Sequence, residues 1–361
     1  MGTQLILTVG TNPLPIWVAW YHLKDKLCQP IKVRLVHTAG TEAEKGRLQN
    51  YCQGADFLDP IQTSDGDPRT VHNDMRNIAN NLSDETTLLH IHYIGGTKVM
   101  AVETVAAFEA TLLNNIHLDT SYLDPRATSG PAIVNRAGNT WVQDARKNIA
   151  ADLARIALLN GFTLGAFRHR YWNRETNRPE TEDCPAPGIP SQEQLDEGRQ
   201  AITGGDYITD YTLLEYGAYA AFKEALENIS TNNLSRNNYK LFHNVYVRRT
   251  GASQSAKPFE LDVVAVLGYQ IVVVSCTLEG SHDRIKQKGI EAILRARQLG
   301  GDEARAIVLC SVRQNDAALI EDELKDEMGS ASEPLQVWGR NRWRGLSEVF
   351  EHYLRNDLHW K

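Results

Sequence analysis

Short apolar runs alternate with helix-period segments through the first third of the chain, and no other feature restricts its fold as strongly. Residues 5–9 read as an apolar strand, followed by Gly10-Thr11-Asn12-Pro13 and an apolar-periodic run over 16–23. The pattern repeats with a strand over 32–37 and a helix over 41–52, then a short strand within 56–61 and a helix over 69–82. A strongly apolar strand over 87–94, a helix over 99–113 and a strand over 117–123 complete it. Parallel strands need a crossover long enough to hold a helix, so this alternation predicts an α/β fold with a parallel, doubly wound sheet.

In such a sheet ligands bind beyond the carboxyl ends of the strands, where helix N-termini present N–H groups to anions. Gly10, Thr11, Asn12 and Pro13 follow the first strand and Gly95, Gly96, Thr97 and Lys98 follow the strand over 87–94, while Thr38 follows the second. The glycines admit a ligand to the backbone, and the polar side chains can donate to a phosphate or a base. Ordinary strand-to-helix turns also use glycine, so spacing alone leaves both readings open. Neither loop has the Gly-x-x-x-x-Gly-Lys-Ser/Thr pattern and no Gly-x-Gly-x-x-Gly is present, which argues against a dinucleotide dehydrogenase.

Val142, Ala145, Ile149, Leu153 and Ile156 stand at helical spacing and predict an amphipathic helix over 141–159. Residues 168–190 are polar and hold four prolines, so they read as a linker. The expected division is a first domain over 1–165, a linker over 166–205 and a second domain over 206–361. The second half begins with a helix over 210–226 carrying Glu215 and a strand over 241–249. Then comes KPFELDVVAVLGYQIVVVSCT at 257–277, two apolar runs around Gly268-Tyr269, a spacing that suits a tight hairpin. Glu260 and Asp262 are two apart on its first strand and share a face. Carboxylates beside an apolar sheet want a partner or a metal, unless they lie at the strand's wet end. A helix over 283–299, a strand over 304–310, a helix over 317–328, a short strand over 335–338 and a helix over 345–354 follow.

At 361 residues, 42% hydrophobic and 23% charged, the composition is that of a soluble two-domain protein, and no apolar stretch reaches the length of a membrane span. The N-terminal residues lack a basic region and cleavage site, so a cytoplasmic location is expected. Five scattered cysteines without metal-site spacing read as reduced packing residues. The formal net charge of -7 does not itself suggest nucleic acid. Between Asn228 and Phe259, however, there is no acidic residue, but there are Arg236, Lys240, Arg248, Arg249 and Lys257. A second basic run, Gly339-Arg340-Asn341-Arg342-Trp343-Arg344, places an aromatic among arginines, a composition suited to phosphates and bases or to a solvated face.

The pair LTVGTNPLPIWVAW and HYIGGTKVMAVETV resembles the CARF domain, the Rossmann-like sensor of CRISPR-associated proteins, over about residues 1–160. The resemblance implies that the two loops line a pocket across a homodimer two-fold axis and hold a cyclic oligoadenylate, with cyclic tetra-adenylate the expected ring. Thr11, Asn12, Gly95, Gly96, Thr97 and Lys98 are the matching positions. A helix with one Glu, three strands with acids on the middle one, then a helix and strand, is similar to the PD-(D/E)XK nuclease core. CARF followed by that core resembles the type III CRISPR ancillary nucleases, and implies cleavage of DNA or RNA with Mg2+ or Mn2+. Glu215, Glu260 and Asp262 match the metal ligands. The next strand should present Glu-x-Lys, and this chain has Ser275-Cys276-Thr277. Either the lysine has moved to the following helix, where Lys286, Lys288 and Glu291 are available and the last two share a face, or the site is degenerate and the protein senses without cutting.

Overall fold

The computed structural model describes residues 2–83, 85–112, 116–173, 178–204, 208–231, 238–253 and 256–360. Arg236 of the first basic cluster lies outside them. The chain divides into two compact units, Met1–Ala145 and Arg146–Lys361.

In the first unit the order is β1 (Gly2–Thr8), α1 (Leu14–Leu23), β2 (Ile31–His37), α2 (Glu42–Tyr51), β3 (Asp56–Phe57), β4 (Ile61–Gln62), α3 (Pro68–Asn80), β5 (Thr86–His92), α4 (Lys98–Thr111), β6 (His117–Asp124), β7 (Ala132–Asn135) and β8 (Thr140–Val142). The sheet runs β3-β2-β1-β5-β6-β7-β8, with β4 also on β2. Strands β1 to β6 pair in parallel, and β7 and β8 extend the sheet antiparallel. The order reverses at β1, so β1 and β5 flank the topological switch point. Ile6, Val36, Leu89 and Ile91 pack with Met75 of α3 and Met100 and Phe108 of α4. Leu5 and Leu7 point the other way and are equally buried, so the sheet is covered on both faces, as a parallel sheet requires.

The helix expected over 141–159 is not formed. Trp141 lies in β8, Asp144 and Asn148 have φ of 48° and 68°, which no continuous right-handed helix accommodates, and α5 spans only Leu153–Leu159. Asp152 caps α5, its carboxylate accepting from the Ala154 N–H at 3.3 Å. The apolar positions that suggested the helix are all buried, but along a looped path, and the division between the units falls inside that path.

The second unit continues with β9 (Phe162–Leu164), β10 (Phe167–Asn173), β11 (Arg178–Cys184), α6 (Gln192–Gly204), α7 (Tyr211–Thr231), β12 (Tyr239–Arg249), β13 (Phe259–Leu267), β14 (Gln270–Thr277), α8 (His282–Gly300), β15 (Arg305–Cys310), α9 (Gln314–Met328), β16 (Leu335–Gly339) and α10 (Leu346–His352). Residues 166–205 thus contain a two-stranded ribbon and a helix of this unit, where the prolines suggested a linker. The main sheet runs β16-β15-β14-β13-β12-β9, parallel from β14 to β16 and antiparallel from β9 to β14. Its core gathers Leu214 and Phe222 of α7, Val263 and Ala265 of β13, Val274 of β14, Trp338 and Phe350. Phe222 and Phe350 stack at 4.4 Å, a geometry that adds to their apolar burial.

The hairpin turn is pinned at its tip. Gly268 has φ 66°, and a Cβ there would stand 2.3 Å from the Arg146 carbonyl oxygen. Buried Arg146 donates to Gln270 Oε1 at 2.9 Å and to the Leu358 carbonyl at 2.8 Å, and the Tyr269 hydroxyl donates to Glu303 at 2.6 Å. Gly268→Ala combines left-handed strain with a backbone clash, so a loss of about 3 kcal/mol is expected in urea unfolding of the second unit. An unchanged midpoint would show that the turn tolerates a side chain.

The five cysteines are free, and all but Cys28 are buried, consistent with packing roles. Among the described residues no helix is long and apolar enough to cross a membrane.

Candidate functional site

In the first unit the two glycine loops meet at the switch point. The Thr8 hydroxyl donates to the Gly95 carbonyl at 2.6 Å. A Cβ on Gly95 would lie 2.0 Å from the Thr8 carbonyl oxygen and 2.9 Å from the Gly10 nitrogen, and one on Gly10 would lie 2.7 Å from the Gly96 nitrogen. The contact between the loops therefore requires both glycines. Asn12 Oδ1 accepts from the Leu14 N–H and Thr97 Oγ1 from the Met100 N–H, each at 3.2 Å, so these oxygens cap α1 and α4. Pro13 and Thr38 are buried, and the Thr38 N–H donates to Thr41 Oγ1 at 3.0 Å. Thr11, Gly96 and Lys98 are exposed. The edge thus combines two helix N-termini, whose partial positive charge and spare N–H groups attract anions, with one lysine beside them.

The second unit places the acids of the hairpin at a fork. β13 pairs with β14 from Leu267–Gln270 as far as Val263–Val274 and then departs, while β14 continues beside β15 to Thr277. Asp262 fills the opening: its Oδ2 accepts from the Cys276 N–H at 2.7 Å and from the Ser275 hydroxyl at 3.3 Å. On the other edge His243 pairs with Val263 and Val245 with Leu261, which sets Asn244 across from Asp262. Asn244 has φ 55°, a left-handed conformation that costs about 1 kcal/mol for a residue with a side chain. Its Oδ1 is buried without a hydrogen-bond partner.

Around this fork lie two chambers. One, of about 830 Å3, is lined among others by Tyr211, Glu215, Tyr216, His243, Asn244 and Thr277. The other, of about 450 Å3, is lined among others by Lys257, Phe259, Ser275, Glu291 and Arg295. Tyr246, Glu260, Asp262 and Lys288 line both. Buried Glu215 is held by His243, Oε2 to Nε2 at 3.1 Å, and the Tyr216 ring lies 5.1 Å from the imidazole. Burial and then the Glu215 carboxylate push Asp262 up to about 7, against the Cys276 N–H and the Lys288 ammonium, which favour the anion. Cys276 is pushed well above its ordinary value by burial and by the same acids, so its thiol is inert packing.

Lys286 and Lys288 separate cleanly. Lys286 turns to α9, where it pairs with Glu323 at 3.1 Å and with Glu327, and it lines neither chamber. Of the two, Lys288 is the one at the acids. Glu291 is half exposed and 4.0 Å from Arg295. Ser275 is bound to Asp262, and Thr277 Oγ1 accepts from the Glu279 N–H at 3.1 Å; these are the residues that the sequence resemblance set against Glu-x-Lys.

The donor set can be tested against a hard divalent cation. Among the described residues no three His, Cys, Asp or Glu side chains converge closely enough to form a cage. Mg2+ seldom uses one, being held by one or two carboxylates together with waters and substrate phosphate. Asp262, with Glu260 or Glu215 beside it, fits that mode.

The basic clusters fare differently. Lys257 lies at the second chamber, and the Arg248 guanidinium covers Phe167 at 4.5 Å. Trp343, expected among arginines as a stacking surface, is instead 7% exposed and part of the core, because a tight helical turn over 340–345 directs it inward. His243 and Asn244 were not singled out from the sequence. The available signal was a His-Asn pair, poor strand formers, inside an otherwise regular strand.

No family model and no curated protein matches the sequence. Solved structures do match in fold. Protein VC1899 from Vibrio cholerae superposes with a TM-score of 0.67 at 12% identity, covering 99% of this chain and 98% of that one. Can2 from Sulfobacillus thermosulfidooxidans, solved in complex with cyclic tetra-adenylate, gives 0.58 at 12% identity over 97% and 99% of the two chains. A type III CRISPR defence DNA nuclease activated by cyclic oligoadenylate gives 0.52 at 15% identity, over 86% of this chain and 45% of the other. At such identities the shared property is the architecture, and it extends across both units.

Proposed function

We propose that the chain is a nuclease of type III CRISPR defence, switched on by a cyclic oligoadenylate bound at the loops around Gly10 and Gly95. The observation that carries the reading is Asp262, held in the fork between β13 and β14 beside Glu215, Glu260 and Lys288, in a chain whose whole-length fold is that of Can2. The N-terminal edge would hold the messenger's phosphates through helix N-termini, Thr11 and Lys98, in a homodimer. Its affinity for one arrangement of the dimer would couple the two sites.

In the second unit Asp262, with Glu260 and Glu215, would hold Mg2+ or Mn2+. The ion would polarise the scissile phosphate and favour deprotonation of the attacking water. The Cys276 N–H and Ser275 hydroxyl fix the Asp262 carboxylate, and His243 fixes Glu215. Lys288 supplies positive charge to the phosphate as charge develops. The test is cleavage of plasmid and of single-stranded RNA with each metal, with and without cyclic tetra-adenylate. Absence of cleavage under every condition would favour the second reading, a sensor that binds without cutting, for which Ser275 and Thr277 in place of Glu-x-Lys speak.

The two lysines provide an internal control. Lys288→Ala is expected to reduce the cleavage rate by about a hundredfold, as loss of one electrostatic donor does. Lys286→Ala, which removes only a surface pairing with α9, should leave the rate within about twofold. Equal losses in the two variants would withdraw the role assigned to Lys288.

A further inference from the structure

The larger chamber carries features that the acid cluster alone does not use. Its charged lining is Glu215, Glu260, Asp262 and Glu279 against Lys288, so beyond the acid cluster it offers a phosphate no further positive charge. Its remaining walls include the rings of Tyr211, Tyr216 and His243 and the amide of Asn244. Tyr211 is 63% exposed at the start of α7 and lines the chamber. Asn244 keeps a left-handed backbone and an unpartnered amide oxygen directly across from Asp262. Strain held at a residue lining a cleft is a pointer to use rather than to packing. The smaller chamber shares Glu260, Asp262 and Lys288 and adds Glu291, but it also adds Lys257 and Arg295, so its charges balance and phosphate is better received there.

We propose that the chamber lined by Tyr211, Tyr216, His243 and Asn244 is a nucleobase subsite, which takes one unpaired base of the nucleic acid next to the scissile phosphate. The aromatic rings offer faces for stacking, available only to a base that has left its duplex stack. The Asn244 oxygen is covered and unpartnered in the chamber wall, and a turn of its carboxamide would bring a donor and an acceptor side by side to the base edge, the pair that matches adenine best. The strand then runs past Asp262 toward Lys257 and Arg295 of the smaller chamber. The inference rests on nucleic acid being the substrate, and a binding measurement separates its failure from that of the nuclease reading.

Asn244→Gly is the informative variant, because glycine adopts positive φ without cost and so removes the amide while relieving the backbone. The full-length protein is titrated, with Ca2+ in place of Mg2+, into a fluorescein-labelled single-stranded oligoadenylate and into the same strand with abasic positions, following anisotropy. Wild type should bind the intact strand about tenfold more tightly than the abasic one, the scale of one good base contact. Asn244→Gly should lose most of that difference with an unchanged or higher thermal midpoint. Tyr211→Ala, at an exposed position, should lose affinity for the intact strand in the same way. Equal binding of intact and abasic strands by wild type, or wild-type behaviour of Asn244→Gly, overturns the subsite. Base-dependent binding that needs Asn244, without cleavage under any metal, supports the subsite while removing the nuclease reading.

Discussion

Replacing Asp262 with asparagine is expected to abolish cleavage while raising the thermal midpoint above neutral pH. The carboxyl is pushed from an ordinary 3.8 to about 7 in the folded chain, so between those values the folded state holds a proton that the unfolded state has released. Stability therefore falls as pH rises from about 4 to 7, and above 7 the cost of the half-buried anion is complete. Asparagine keeps an oxygen to accept from the Cys276 N–H and removes the charge. Its gain, on the order of 2–4 kcal/mol above pH 7, should vanish near pH 4. The same linkage makes a metal visible without any catalysis. A divalent cation favours the anion, so Mg2+ or Mn2+ should raise the midpoint of the wild type above pH 7 and leave Asp262→Asn unmoved. Because the carboxyl must lose its proton to receive the ion, metal affinity should rise with pH to about 7 and then level. Retained cleavage in Asp262→Asn, together with no thermal response to either metal, would remove the metal site from this cleft.

Gly95→Ala is the second large effect, and it falls on the other unit. The added methyl would meet the Thr8 carbonyl oxygen at 2.0 Å, the Ile16 side chain at 2.8 Å and the Gly10 nitrogen at 2.9 Å. Two of these are backbone atoms, which no rotamer change can move. The loops must separate, breaking the hydrogen bond from Thr8 to Gly95, and a loss of about 3 kcal/mol is expected in urea unfolding of the first unit. Binding of cyclic tetra-adenylate, measured by titration calorimetry, should disappear with the loop geometry. Lys98→Ala separates binding from folding. Its side chain is exposed, so unfolding should not change, while affinity should fall about tenfold and lose part of its salt dependence. Calorimetry that finds wild-type affinity in Lys98→Ala would remove that lysine from the messenger site, and wild-type unfolding in Gly95→Ala would refute the close loop contact.

Much of the fold was legible because its strands and helices carry strong periods. The hairpin expected around Gly268-Tyr269 is β13 and β14, and the helix expected over 210–226 is α7, which ends five residues later. The elements that escaped are those with weak local signals. β7, β8 and β9 have three or four residues each, and β11 reads RPETEDC, a composition that disfavours strand until a partner supplies the hydrogen bonds. The region over 141–159 shows the converse error: its apolar spacing correctly identified what is buried, but two left-handed residues route the chain through turns.

From the sequence by itself came the α/β class, the glycine loops after the strands over 5–9 and 87–94, and the acids of 257–277. These depend on periodicity, turn chemistry and the spacing of residues along one strand, all of which are local. Tertiary structure alone decided which residues share the acid cleft. Lys286 and Lys288 are two apart on one helix, and only the packing of α8 against α9 turns the first to Glu323 and leaves the second beside Asp262. His243 and Asn244 reach Glu215 and Asp262 through strand register and helix packing, and Trp343 joins the core through the direction of one turn. Such contacts join residues far apart in the chain, and their partners are fixed when the sheet closes.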